Sequence, residues 1–212
     1  MPPAALITEF LVLFVAMPLA YRFAPWTVPA LPVLWIVALY CYWQLRRDAT
    51  FDRSRLWNPH PFAAQFVSII ALFLTGSLLL YVGVRLFAPD LLFNLVRAKP
   101  RVWATLMVFY PILSVYPQGV IYRSFLMHRY NSLLSSEWTL ILASATAFSF
   151  MHIVYQNPIA VTLTFFGGLI FAWRYRVTNS LLTSSVEHAL YGCWLFTVGL
   201  GDFFYHGRAQ LQ

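Results

Sequence analysis

From Trp138 to Trp173 the chain runs for 36 consecutive positions without an Asp, Glu, Lys or Arg. A membrane-spanning helix needs about 20 apolar residues. A run of this length therefore holds two spans, and "QNP" (Gln156–Pro158) marks the division. Asn157 followed by Pro158 is an N-cap and first-turn signal, so the expected spans are 138–155 and 158–173. The rest of the chain follows the same pattern. Of its 212 residues 60% are hydrophobic and only 10% charged, with a mean hydropathy of +0.68, whereas soluble domains are about a quarter charged.

Further spans are expected at 5–21, 28–45, 62–86 and 180–204, with a polar loop at 46–61 and an interfacial stretch at 88–101. The opening "MPPAALITEF" has neither a basic n-region nor a small-residue cleavage pattern, so the first span reads as retained. From Val102 to Tyr122 there is no charge, but Pro111 and Pro117 interrupt the stretch. Because proline suits a first turn and not an interior, one helix is expected to end near Ser114 and another to start at Pro117. The fold class is all-α: a multi-pass transmembrane bundle of seven or eight helices around a polar intramembrane cavity, forming a single membrane domain over 1–212.

The net charge of +7 comes from arginines scattered between apolar segments. That pattern argues for a lipid bilayer as partner and against nucleic acid. Four arginines in 46–55 place this loop and the N-terminus on the cytoplasmic side, and alternation puts Arg174 and Arg176 there too. Low lysine with high Arg, Ala and Leu content fits a bacterial inner membrane. Cys41 and Cys193 lie in apolar segments and lack any CxxC spacing, which fits reduced core packing.

Charged or strongly polar groups inside a span are expensive, about 2.5–3.5 kcal/mol for a central Arg on insertion scales, and mark functional candidates. Gln118 and Arg123 follow Pro117, about 140° apart on an α-helix. Arg123 either snorkels from a helix end or is a buried cation tying groups around a cavity. Phe148 and His152 lie four apart and share a face. In "SSVEHALYG", Glu187 and His188 are adjacent and Gly192 shares the face of His188. One imidazole can accept a proton from water and a second can hydrogen-bond a developing oxyanion, so two histidines around one cavity suggest hydrolysis. A divalent metal at His152 and His188 would find its coordination incomplete, since HExxH spacing is absent; no cofactor is expected. A proton-relay transporter would need an inverted repeat with matching broken helices, and 102–130 has no such partner.

"QGVIYRSF", "FSFMH" and "HALYG" together resemble the three motifs of the CAAX prenyl protease and bacteriocin-processing (CPBP) membrane proteins, relatives of the type II CAAX prenyl endopeptidases. That pattern is Glu-Glu-x-x-x-Arg, Phe-x-x-x-His and His-x-x-x-Asn/Asp, and the resemblance covers about 102–200. It implies a glutamic-type intramembrane endopeptidase acting on membrane peptides or prenylated protein tails. His152 would activate water with the first glutamate, His188 would hold the oxyanion, and Arg123 would be the structural arginine. The departures are Gln118 and Gly119 at the two glutamates and Gly192 at the Asn/Asp. One branch of the family reads Pro-Gln-Glu, so Gly119 marks the lost carboxylate. An amide cannot act as general base near pH 7. Glu187 is then either a substitute base or the partner of an arginine such as Arg123 or Arg176. A non-hydrolytic peptide-binding, immunity or scaffold protein on the same fold is the alternative.

Overall fold

A computed structural model describes residues 2–23 and 29–204. The turn expected after Arg22, around Pro25, lies outside them. Among the described residues there are eight helices and no strand: α1 (Pro3–Phe23), α2 (Ala30–Arg47), α3 (His60–Phe87), α4 (Asn94–Ala98), α5 (Pro100–Arg129), α6 (Glu137–Met151), α7 (Pro158–Thr178) and α8 (Leu181–Val198). Five helical stretches are long and apolar enough to cross a membrane, namely α1, α3 with the turn before it, α5, α6 with the turn after it, and α7.

The caps follow the sequence signals. Asn157 accepts from the Ala160 amide at 2.8 Å and donates its own amide to the Phe203 carbonyl at 2.9 Å. It thus starts α7 and also ties down the turn after α8. Ser136 and Thr139 form a reciprocal capping box at the start of α6, and Ser180 caps α8 through the Thr183 amide at 3.0 Å. Gly199 ends α8 with φ +117°, and any side chain there would run into the Leu91 carbonyl. The stretch 88–101 forms a 3-10 turn, the short α4 and the first turn of α5.

One expectation fails. Pro111 and Pro117 do not break the chain into two helices; α5 is continuous from Pro100 to Arg129. π-Turns at Pro111–Val115 and Val120–Phe125 flank a single α-turn, Tyr116–Gly119, that contains Pro117. Proline inside an α-helix removes one hydrogen bond and clashes with the carbonyl four residues back. Widening to an i→i+5 turn relieves that conflict without ending the helix.

The main core gathers Phe14 of α1, Cys41 and Leu45 of α2, Phe125 and Leu126 of α5, Phe148 of α6, Phe171 and Tyr175 of α7 and Leu181 of α8. Both cysteines are free. Large apolar side chains such as Val67, Leu78 and Leu79 of α3 point outward. Lipid tails are as apolar as leucine, so such a surface costs nothing in a bilayer.

Polar clasps collect at one end of the bundle. Arg129 at the end of α5 pairs with Glu9 of α1 at 2.9 Å, and Arg176 near the end of α7 pairs with Glu137 at the start of α6. Ser180 donates to the Asn58 carbonyl at 2.5 Å. Asp48, in the loop after α2, accepts from Thr50 and lies 3.0 Å from His128 Nε2. The 46–55 arginines, the start of α1 and Arg176 thus share one side, as alternation requires.

The Asp48 carboxyl is held down from 3.8 to about 2, first by the Thr50 hydroxyl, then by the Thr50 N–H and His128. A depressed carboxyl contributes stability that is present above its ordinary pKa and is lost as pH falls through the folded value. In Thr50→Val the carboxyl titrates nearer 3.8, so the variant lacks part of this stability at neutral pH and loses less on acidification, giving a flatter profile. Unfolding midpoints between pH 2 and 5 check this; identical profiles for the two proteins would refute it.

Candidate functional site

α5, α6, α7 and α8 meet around the ring of Phe148, which is 1% exposed. The His152 ring lies 4.8 Å from it and the His188 ring 5.4 Å, both edge-on. The Arg123 guanidinium sits over its face at 4.3 Å. Three of the polar residues singled out in the sequence therefore come together on one side chain, delivered by three different helices. His188 also stacks on Phe171 at 4.4 Å, and Arg123 lies 5.4 Å from the same ring.

His152 stands just past the end of α6, in a 3-10 turn. Its Nδ1 is 2.7 Å from the Phe148 carbonyl oxygen. A carbonyl only accepts, so Nδ1 must carry the proton and Nε2 keeps its lone pair. His152 is thereby fixed as a proton acceptor through Nε2. His188 makes ring contacts but no hydrogen bond among the described residues, so its ring nitrogens are uncommitted.

The first motif is placed differently. Gln118 Nε2 donates to Ser114 Oγ, one turn back on α5, at 2.7 Å, and Gln118 Oε1 is buried with no hydrogen-bond partner among the described residues. The π-turn over Val120–Phe125 also reduces the 140° separation of Gln118 and Arg123 that an ideal α-helix gives. Gly119 packs against α8. A Cβ there would lie 2.8 Å from Leu181 Cδ1 and 3.1 Å from Ser185 Oγ, so a leucine methyl fills the room a longer side chain needs.

Glu187 does not face the histidines. Arg174 holds it through two hydrogen bonds, at 2.7 and 3.0 Å, with both side chains fully buried. Arg174 is also bound by Gln65 and Ser68 of α3. The arginine partner expected as one role of Glu187 is present, but it is Arg174, which the sequence grouped with Arg176. Glu187 pairs with neither Arg123 nor Arg176, and Arg174 is no boundary charge. Side chains two apart on a helix point to opposite sides, so Arg176 stays at the bundle end while Arg174 turns inward. A carboxylate locked in this way is unsuited to act as a substitute base.

Gly192 is covered by Tyr110 of α5, whose ring edge and hydroxyl take up the space where a Cβ would stand. Tyr110 is edge-on to His188 at 6.5 Å. Tyr110, Phe171 and Arg174 carry no sequence signal of their own, being an aromatic beside a proline, an aromatic in a Phe-rich run and an arginine near a helix end. No group of three or more His, Cys, Asp or Glu able to hold a metal ion occurs among the described residues. His152 and His188 thus have no third ligand beside them there.

Glu187→Gln leaves Arg174 a buried charge without a counter-ion and is expected to cost about 3–5 kcal/mol. The pair Arg174→Met with Glu187→Leu is expected to cost much less. Thermal unfolding of the three proteins checks this, and a single variant as stable as the parent would refute it. Gly192→Asn overpacks against Tyr110 at about 1–3 kcal/mol. Tyr110→Ala added to it is expected to recover much of that loss, and a double variant no better than Gly192→Asn would count against the contact.

Comparison with known proteins bears on these same elements. Residues 100–194 match the family model for type II CAAX prenyl endopeptidase Rce1-like proteins. No curated protein and no solved structure matches the chain. The matched stretch begins with α5 and ends within α8, and it holds Arg123, Phe148, His152, His188 and Gly192. Five helices able to cross a bilayer agree with that family. The chain is a membrane protein whose residues 100–194 are similar to the Rce1-like type II CAAX prenyl endopeptidases.

Proposed function

We propose that this protein binds the end of a membrane peptide or prenylated protein tail beside His152 and His188 and hydrolyses it slowly. The observation that carries the reading is the His152–Phe148 hydrogen bond, which leaves Nε2 as the only proton acceptor of that ring. Water placed against Nε2 gives up its proton there as its oxygen attacks the scissile carbonyl, and Nε2 then returns that proton to the leaving amine as the C–N bond breaks. His188, carried on the facing helix and touching the same Phe148 ring, hydrogen-bonds the oxygen on which negative charge develops. Arg123 adds a fixed positive charge behind both.

The carboxylate that would assist His152 is missing at Gln118 and Gly119. A general base contributes about 10²–10⁴ in rate, so the chain as given is a slow hydrolase. A second reading is favoured by Leu181, whose methyl fills the space beside Gly119: the fold then binds peptide without cutting it. The working membrane is the bacterial inner membrane, a reading that rests on one lysine against thirteen arginines.

Cleavage of a membrane peptide by four reconstituted proteins separates the two readings: the chain as given, Gly119→Glu, and His152→Ala in each background. Gly119→Glu is expected to raise kcat about 10²- to 10⁴-fold, more so with Leu181→Ala to make room. His152→Ala is expected to abolish whatever cleavage there is. No cleavage by any variant, with peptide still bound, would establish the binding reading.

A further inference from the structure

Arg123 and Arg174 are both buried arginines of one bundle, 1% and 0% exposed, and they are treated oppositely. Arg174 donates to a carboxylate, an amide oxygen and a hydroxyl. Among the described residues Arg123 has no hydrogen-bond partner on Nε, Nη1 or Nη2. Its neighbours are rings, Phe148 at 4.3 Å and Phe171 at 5.4 Å. Rings offer a guanidinium no hydrogen-bond acceptor, so its N–H groups are left unanswered among the described residues. A buried charge without a hydrogen-bonding counter-group is strongly destabilising, and nearly all buried polar groups have partners.

None of the acidic side chains, all of them among the described residues, is that partner. Glu187 is bound to Arg174, Glu9 to Arg129, Glu137 to Arg176 and Asp48 to His128. Asp52 lies against Ser54 and Arg55, Asp202 accepts from Asn94, and Asp90 is exposed. These are all seven acidic residues of the sequence.

We propose that Arg123 is the receptor for one carboxylate brought in by a ligand, the terminal acid group of an apolar chain seated among Phe148, Phe171 and His188. The in-plane N–H edge of a guanidinium matches a carboxylate through two parallel hydrogen bonds. The charge count selects a monoanion: one guanidinium and one carboxylate leave the buried site neutral, whereas a phosphate dianion would leave it negative. The rings that hold Arg123 supply the apolar wall for the chain behind the acid. The proposal deepens the peptide reading above, since a peptide's C-terminal carboxylate would then anchor it beside the two histidines. The same chemistry is offered by a free fatty acid.

The test needs no variant that must fold. The full chain in lipid nanodiscs is titrated with a fluorescent apolar peptide ending in a free carboxylate and with the same peptide ending in a carboxamide. Palmitate and palmitamide are titrated alongside as a second pair. The acid is expected to bind about 10- to 100-fold tighter than its amide, the worth of charge-assisted hydrogen bonds, and Arg123→Gln is expected to erase the difference. A preference in the peptide pair identifies a peptide ligand, and one in the palmitate pair alone identifies a fatty acid; either supports the proposal. Equal binding of acid and amide in both pairs overturns it, as does a preference that survives in folded Arg123→Gln. Absence of cleavage by Gly119→Glu would sink the hydrolytic reading while leaving the acid preference untouched, so the two failures are distinct.

Discussion

The buried pair of Arg174 and Glu187 decides how three helices can sit. Within a membrane protein's interior a charge has no water to fall back on, so meeting its opposite at hydrogen-bond distance is strongly favoured. Glu187 of α8 takes two of the guanidinium's bonds, while Gln65 and Ser68 of α3 take others on the Nη1 side. The rotation of α7 and α8 about their axes is fixed relative to α3 by this one knot. Because Glu187 is turned to Arg174, its neighbour His188 is turned by about 100° toward Phe171 and Phe148. The histidine's place in the site is thus a by-product of the salt bridge beside it.

Phe148 plays the matching part for the other helices. Its ring touches Tyr122, Arg123, His152, Phe171 and His188, and its carbonyl fixes the His152 tautomer. The side chain is apolar and the backbone oxygen polar, so one residue both packs the site and sets its proton inventory. Tyr110 and Leu181 then close the space beside Gly192 and Gly119, where the resemblance expects an amide or acid and a glutamate.

What the sequence made legible were features with a local cause. Asn157–Pro158 marks a helix start wherever it occurs, the Phe148–His152 spacing places both on one face, and adjacency separates Glu187 from His188. The misreadings have non-local causes. Pro117 looks like a helix start because nothing in the sequence shows that the turns on either side widen to absorb it. Arg174, two residues from Arg176, looks like a second boundary charge until α3 and α8 are seen closing over it. Tyr110 lies 82 positions from the glycine it covers, and no single sequence links the two.

The widened turn over Val120–Phe125 also ties the site to a residue count. A π-turn contains one residue more than an α-turn requires. Deleting one residue there would let α5 relax to regular geometry without breaking. The parts of the helix before and after the deletion would keep their relative orientation, because the widened turn had already absorbed the extra residue. Gly119 would still pack against α8 and Arg123 would stay beside Phe148. The widened turn is thus the place where this helix can gain or lose a residue while the first motif keeps its seat against α8.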